Sequence, residues 1–161
     1  MSFKVVVNTT PIITLGKIEH LRILRELYGN VTIPIAVVLE VAVKDDFAFL
    51  QMLKNFDWIK VAECPEYEKN LFPKNLHAGE IEAIALSKSI NADFLIIDDN
   101  AARRTASNFG LNVIGTAGTL LEAKQRGIIS AVKPIIDSMC ENNFYLSEKI
   151  LQTILQRAGE S

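Results

Sequence analysis

The chain has 161 residues, 49% of them hydrophobic, and a formal net charge of −2. That length suits one compact domain around a single core, and the near balance of charge excludes a polybasic nucleic-acid arm or an acidic tail while leaving room for a local basic groove. Cys64 and Cys140 lie far apart without metal-ligand spacing, which argues against structural zinc and for free thiols in a reducing compartment; with no basic-then-apolar leader and no run near the ~20 apolar residues of a membrane span, the reading is of a cytoplasmic protein with no membrane contact.

The first strand is read in the β-branched FKVVV, 3–7, which stops at Asn8-Thr9-Thr10-Pro11. There Thr10 reads as a helix N-cap with Pro11 at the first helical position. The match of Asn8-Thr9-Thr10 to a glycosylation sequon is accidental in a chain without a secretion signal. IEHLRILRELYG sets Leu21, Leu24, Leu27 and Tyr28 on one stripe, and Gly29-Asn30 stops it. VTI, 31–33, is the second strand, followed by a helix carrying Glu40 about two turns in. Residues 43–57 read as irregular, WIKVA, 58–62, as the third strand, and the charged stretch 63–76 with Pro65 and Pro73 as irregular again. AGEIEAIALSKSI places Ile81, Ile84 and Ala85 at helical spacing before the fourth strand, DFLII, 93–97. DNAARRTASNFG carries Ala102, Ala106 and Phe109 up to Gly110, and LNVIG, 111–115, is the fifth strand. GTAGTLLEAKQRG and SEKILQTILQRAGE are further helices, those from about 131 to 160 expected to pack on the same domain. Strands alternating with helices predict βα units: a three-layer α/β/α sandwich around a mainly parallel sheet, as a single domain over 1–161.

In an open parallel sheet, ligands bind beyond the carboxyl ends of the strands, so residues just after strands are the first candidates. Asn8 follows the first strand, Asp98 and Asp99 the fourth, and Gly115-Thr116 the fifth; Glu40 is close enough to lean over the same edge. Glu80 and Glu82 lie in the first turn of the helix before DFLII and cannot share a face. With Ile81, Ile84 and Ala85 marking the core, Glu82 is expected to point inward and Glu80 to solvent. Two carboxylates ~4 Å apart repel by roughly 4 kcal/mol at an effective dielectric of ~20, so their convergence calls for protonation or a bound cation. Oxygen ligands without clustered His or Cys suit Mg²⁺ or Mn²⁺ better than Zn²⁺. Such ions activate water and stabilise phosphoryl charge in the in-line displacements of many nucleases.

The segments VVVNTTPIITLGKI, VTIPIAVVLEV, HAGEIEAIALSKSINADFLIIDDNAARRTASNFGLNVIGTAGTLLEAKQRGII and the closing QRAGE run in that order over nearly the whole chain. Together they resemble the PIN-domain superfamily, and within it an uncharacterised prokaryotic branch of nucleic-acid-binding proteins. The resemblance implies a parallel-sheet core and Mg²⁺- or Mn²⁺-dependent cleavage of RNA. It also implies a homodimer and, for members that are toxins, an antitoxin protein as partner. By position the family's acids correspond to Asn8, Glu40, Glu82 and Asp99, with Asp98 as the close alternative to the last; these five form the expected metal-ligand set. Thr10 matches a small hydroxyl residue that supports the site, and Thr116 is placed with it in support. Asn8 departs from the pattern, which has aspartate there. An amide carbonyl can ligate a metal but brings no charge and cannot act as a base, so metal affinity and catalysis are expected to be weakened. Two origins fit this residue: a natural member with weakened catalysis, and a deliberate aspartate-to-asparagine change.

Each residue also has a purely structural reading. Glu40 reads as an exposed residue on an apolar helix, Glu80 and Glu82 as acids at the positive end of a helix dipole, and one of Asp98 and Asp99 as the cap of the helix that begins at Asn100. Arg103 and Arg104 lie one turn into that helix, where the dipole disfavours cations and calls for a partner: the phosphate of an RNA, or a salt bridge to Asp99 or Glu82. His20 and His77 have no ligand spacing and are assigned surface or capping positions. Against the nuclease stands a non-catalytic module that binds RNA or a protein on the same fold, favoured by Asn8. A phosphoacceptor receiver is discounted because its acidic pair follows the first strand, and a dinucleotide-binding enzyme because no G-x-G-x-x-G follows any strand.

Overall fold

The computed structural model describes residues 3–44, 51 and 53–161. Five strands, β1 (Val5–Val7), β2 (Val31–Pro34), β3 (Ile59–Ala62), β4 (Phe94–Ile96) and β5 (Val113–Ile114), form one sheet in the order β3-β2-β1-β4-β5. Every neighbouring pair is parallel. All five occupy the expected stretches, with β2 reaching one residue further to Pro34. Of the stretch 43–57 read as irregular, 43–44 end the helix Ile35–Lys44 and 51 and 53–55 are helical, while 45–50 and 52 lie outside the described residues. In 63–76 the one short helical turn is a 3₁₀ turn at Lys69–Leu71.

Alternation along β1 divides the core into two layers. Val5 and Val7 join Ile12, Leu24, Leu120 and Ile136 on one face, while Val6 joins Ile84, Leu95, Ile97 and Ala106 on the other. All three valines are buried, as a continuous β-branched run requires of a strand covered on both sides. The first face is covered by α1 (Thr9–Lys17), α2 (Arg22–Tyr28), α6 (Thr116–Gln125), α7 (Lys133–Glu141) and α8 (Glu148–Ala158). The second is covered by α4 (Ala78–Ile90) and α5 (Asn100–Asn108). α3 (Ile35–Lys44) contributes Val37 and Val41, one turn apart, to the larger core. The helix-stop reading of Gly29 agrees with its φ of 78° and its N–H bond to Arg25 O.

The first helix begins one residue before the sequence suggests. α1 starts at Thr9 with Asn8, not Thr10, in the N-cap position, because the Asn8 N–H is still tied to Ile96 O at 3.0 Å as an extension of the sheet. Pro11 then falls third in the helix, where its missing N–H has no intrahelical partner to lose.

Beyond the core contacts of Ile136, Met139 and Ile154, one carboxylate ties the carboxyl-terminal helices to the body. Glu160 accepts from Lys124 Nζ at 2.8 Å and from the backbone N–H groups of Val132 at 2.8 Å and Lys133 at 2.9 Å. Three donors, two of them at the amino end of α7, pull its carboxyl down to about 2. Among the described residues no helix is long and apolar enough to cross a membrane.

Candidate active site at the strand ends

The chain runs from β1 outward through β2 to β3 and then returns to β4 and β5 on the other side of β1. The carboxyl ends of β1 and β4 therefore flank the topological switch point, the crevice where an open α/β sheet binds its ligands. Asn8 ends β1, and Asp98 and Asp99 follow β4.

Asn8 is only 6% exposed. Its backbone has N-cap geometry, yet its side chain makes no capping bond. Asn8 Oδ1 is buried without a hydrogen-bond partner, and so is the neighbouring Thr9 Oγ1. Leaving a buried acceptor unpaired costs about 1–3 kcal/mol. A side-chain capping bond, which would explain an asparagine in this position, is not made.

Asp98 and Asp99 have different roles. Asp98 is half-buried and gripped by one residue: Thr116 donates its backbone N–H to Oδ1 at 2.8 Å and its hydroxyl to Oδ2 at 2.6 Å. Thr116, fully buried at the start of α6, thus ties the β4 end to the β5 end. Burial pushes the Asp98 carboxyl up, against the two Thr116 bonds and the nearby Arg103 guanidinium, which favour the charged form. A Cβ on Gly115 would stand 3.0 Å from Arg103 Nη1 and 3.1 Å from Asp98 Oδ1, so a glycine leaves room for both groups at this corner. Asp99 is exposed and caps α5, accepting from Ala102 N–H at 2.9 Å. The capping alternative therefore falls on Asp99, and Arg103 stands near Asp98, whose charged form it favours, without a salt bridge to Asp99 or Glu82 among the described residues. Arg104 lines a smaller adjoining cavity together with Asn100, Arg103, Ser107 and Val113.

The expected orientation of the two glutamates is corrected by the structure. Glu80 is the buried one, at 9% exposure. Its Oε1 accepts the His77 backbone N–H at 2.9 Å in a capping box. Burial raises its carboxyl, the His77 bond opposes that, and the charges of Asp99 and Glu40 raise it further. Glu82 instead lies near Cys64 and Tyr67, whose ionisation is opposed by burial and then by the Glu82 charge. The physical reason is that α4 also packs through small residues. Gly79, Ala83 and Ser87, at helical spacing, are buried beside Glu80, and hydropathy gives them little weight. The Glu40 carboxylate lies against Gly79 at the amino end of α4, where the helix dipole favours an anion. His77, assigned to a capping position, is the N-cap of that helix.

Thr10, His77, Glu80, Asp98, Asp99 and Arg103 line one groove of about 1360 Å³. Among the described residues, no three His, Cys, Asp or Glu side chains stand together as a ready metal cage. The donor chemistry nonetheless fits a hard divalent ion: an orphaned amide oxygen on Asn8, the carboxylates of Asp98 and Asp99, and Glu80, whose carboxyl feels the charges of Asp99 and Glu40. Such ions keep several waters and need only one or two direct carboxylates. Sequence reasoning missed Glu80 as the inward acid and the Thr116–Asp98 clasp; the acid-then-hydroxyl succession at two adjacent strand ends was the available signal for the latter.

The chain is an open parallel α/β domain with acids at its switch point. Residues 4–160 match the family model of DUF3368, a PIN domain, and the chain belongs to that superfamily. This is a nucleic-acid nuclease-like fold in which divalent-metal dependence is general. Among solved structures, a PilT N-terminus domain protein from the hyperthermophilic archaeon Sulfolobus solfataricus P2 is similar, with a TM-score of 0.57 and 20% identity over 74% of this chain and 92% of that one. No curated protein matches the chain.

Proposed function

We propose that this protein is a Mg²⁺- or Mn²⁺-dependent ribonuclease of PIN type, with catalysis weakened by Asn8 at the first acid position. The observation that carries the reading is Asn8 Oδ1, a buried acceptor without a partner one strand away from Asp98 and Asp99. Asn8, Asp98 and Asp99 would hold the ion, with Glu80 and Glu40 reaching it through water; when bound it supplies an activated water and charge stabilisation on a phosphoryl group. Glu80, whose proton affinity burial raises, is suited to accept a proton. Arg103, beside Asp98, offers its guanidinium to a phosphate oxygen. Family membership alone supports the further reading of a homodimeric toxin held by an antitoxin protein.

The test is cleavage of a structured and an unstructured RNA with Mn²⁺, comparing the chain with its Asn8→Asp variant. Faster divalent-dependent cleavage by the variant, lost again on Asp98→Ala, is expected. No cleavage by Asn8→Asp under any divalent condition would refute the reading. A second reading, a non-catalytic module binding RNA or a protein, is favoured by the lack of a ready acid cage among the described residues; it requires binding that is indifferent to Mn²⁺ and an Asn8→Asp variant that stays inert.

A further inference from the structure

The groove at the strand ends does not stop at the acids. Its other wall is α8 and the connection before it, including Tyr145, Lys149, Thr153 and Arg157. Lys149, Thr153 and Arg157 are spaced four apart and so share one helix face, with about 12 Å of rise between the first and the last. Both cations are exposed, and neither forms a salt bridge with the described residues. The carboxyl ends of α6 and α8 are joined by Lys124, which reaches Ala158 O and Glu160. The amino end of α8, with Lys149, and the amino end of α6, which starts at the Asp98–Thr116 clasp, line this same groove.

Tyr145 is 84% exposed, although its neighbours Phe144 and Leu146 pack against the larger core. The connection is fixed at both ends. Phe144 N–H donates to Met139 O at 3.0 Å and Asn143 turns with φ of 71°, closing α7. Ser147 Oγ then caps α8 by accepting from Ile150 N–H at 3.3 Å. A rigid hairpin thus holds an aromatic ring in water at the rim of a groove whose walls carry Arg103, Lys149 and Arg157. Rings and cations along one channel are the means by which proteins hold single-stranded nucleic acid, with bases stacking on the ring and phosphates meeting the cations.

We infer that this groove is the track for single-stranded RNA, with Tyr145 as a base-stacking platform and Lys149 and Arg157 as phosphate contacts leading the strand to the acids. This rests on the nuclease reading for what happens at the acids, but not for the binding itself. A duplex keeps its bases stacked on one another and offers the ring nothing, so the occupant is a single strand.

The test is fluorescence anisotropy of a labelled oligoadenylate with the full chain in EDTA, where cleavage plays no part. Tyr145→Ala is expected to weaken binding about 5- to 150-fold, the equivalent of one lost base stack, while Tyr145→Phe retains it. Lys149→Gln and Arg157→Gln should each reduce the salt dependence by about 0.7 in log–log slope. Near-native affinity in Tyr145→Ala and in the Lys149→Gln/Arg157→Gln double variant would overturn the track, even if the protein cleaves RNA. Conversely, Tyr145-dependent binding with an Asn8→Asp variant that never cleaves would uphold the track and refute the nuclease. Tyr145-dependent binding of an oligoglutamate peptide with none of oligoadenylate would overturn it in favour of an acidic protein segment.

Discussion

Replacing Thr116 by valine removes one hydroxyl and nothing else of comparable size. Thr116 has no exposed surface, its N–H bond to Asp98 Oδ1 survives the change, and only the 2.6 Å bond from Oγ1 to Asp98 Oδ2 is lost. A hydrogen bond to a charged acceptor contributes about 1.5–3 kcal/mol. For a domain of this size each kcal/mol shifts Tm by roughly 2–4 °C, so a fall of about 3–12 °C is expected. The deficit should depend on pH. Burial already raises the Asp98 carboxyl against the Thr116 bonds, and a group with a raised folded pKa costs stability as pH climbs through that value. Loss of the hydroxyl raises it further. The valine variant should therefore melt close to the parent at acid pH, where Asp98 is protonated in both, and fall behind as pH rises above the carboxylate range. Thermal melts from pH 3 to 8, with Thr116→Ser as the control that keeps the hydroxyl, read this directly. A valine variant that melts with the parent at every pH would refute the clasp between the β4 and β5 ends.

Three further outcomes are expected. Gly79→Ala places a methyl where the Glu40 carboxylate lies; helix propensity offsets up to ~1 kcal/mol of the cost, so melts should change little while Mn²⁺ affinity, measured by calorimetry, falls. Glu160→Gln should cost about 1–2 kcal/mol by denaturant titration, less than full charge-assisted bonds because the side chain keeps 14% of its exposure. Since the Glu160 carboxyl is lowered to about 2, its contribution is present above the ordinary carboxylate range and disappears as pH falls toward 2, so the two proteins should converge in acid. Finally, Glu80→Gln should reduce cleavage by Asn8→Asp protein at least tenfold, whereas Glu82→Gln should leave it within twofold; equal effects would mean that Glu80 is not the acid that serves the site.

The strands were legible because a sheet buried on both faces demands continuous β-branched runs, and FKVVV and DFLII have no other use. The order of strands was not, since it depends on which edge each crossover returns to. Asn8, Asp98 and Thr116 could be placed at the carboxyl ends of their strands because a position directly after a strand fixes where a residue lies, whatever its side chain does. Glu80 and Glu82 could not be assigned by the same logic. On α4 the inward face includes Gly79, Ala83 and Ser87, so bulky apolar spacing marks only part of it. Glu160 is the opposite case: no periodicity shows what it binds, and its three donors come from α6 and the start of α7.

The central claim is that Asn8 occupies a metal-ligand position from which one charge is missing. Calorimetric Mn²⁺ titration of the chain, of Asn8→Asp, and of Asn8→Asp/Asp98→Asn tests it most directly. The account predicts weak binding by the chain, at least tenfold tighter binding by Asn8→Asp, and loss of that gain in the double variant. Equal Mn²⁺ affinity in all three would contradict it and leave Asn8 as a strand-end residue with a buried, unpaired oxygen.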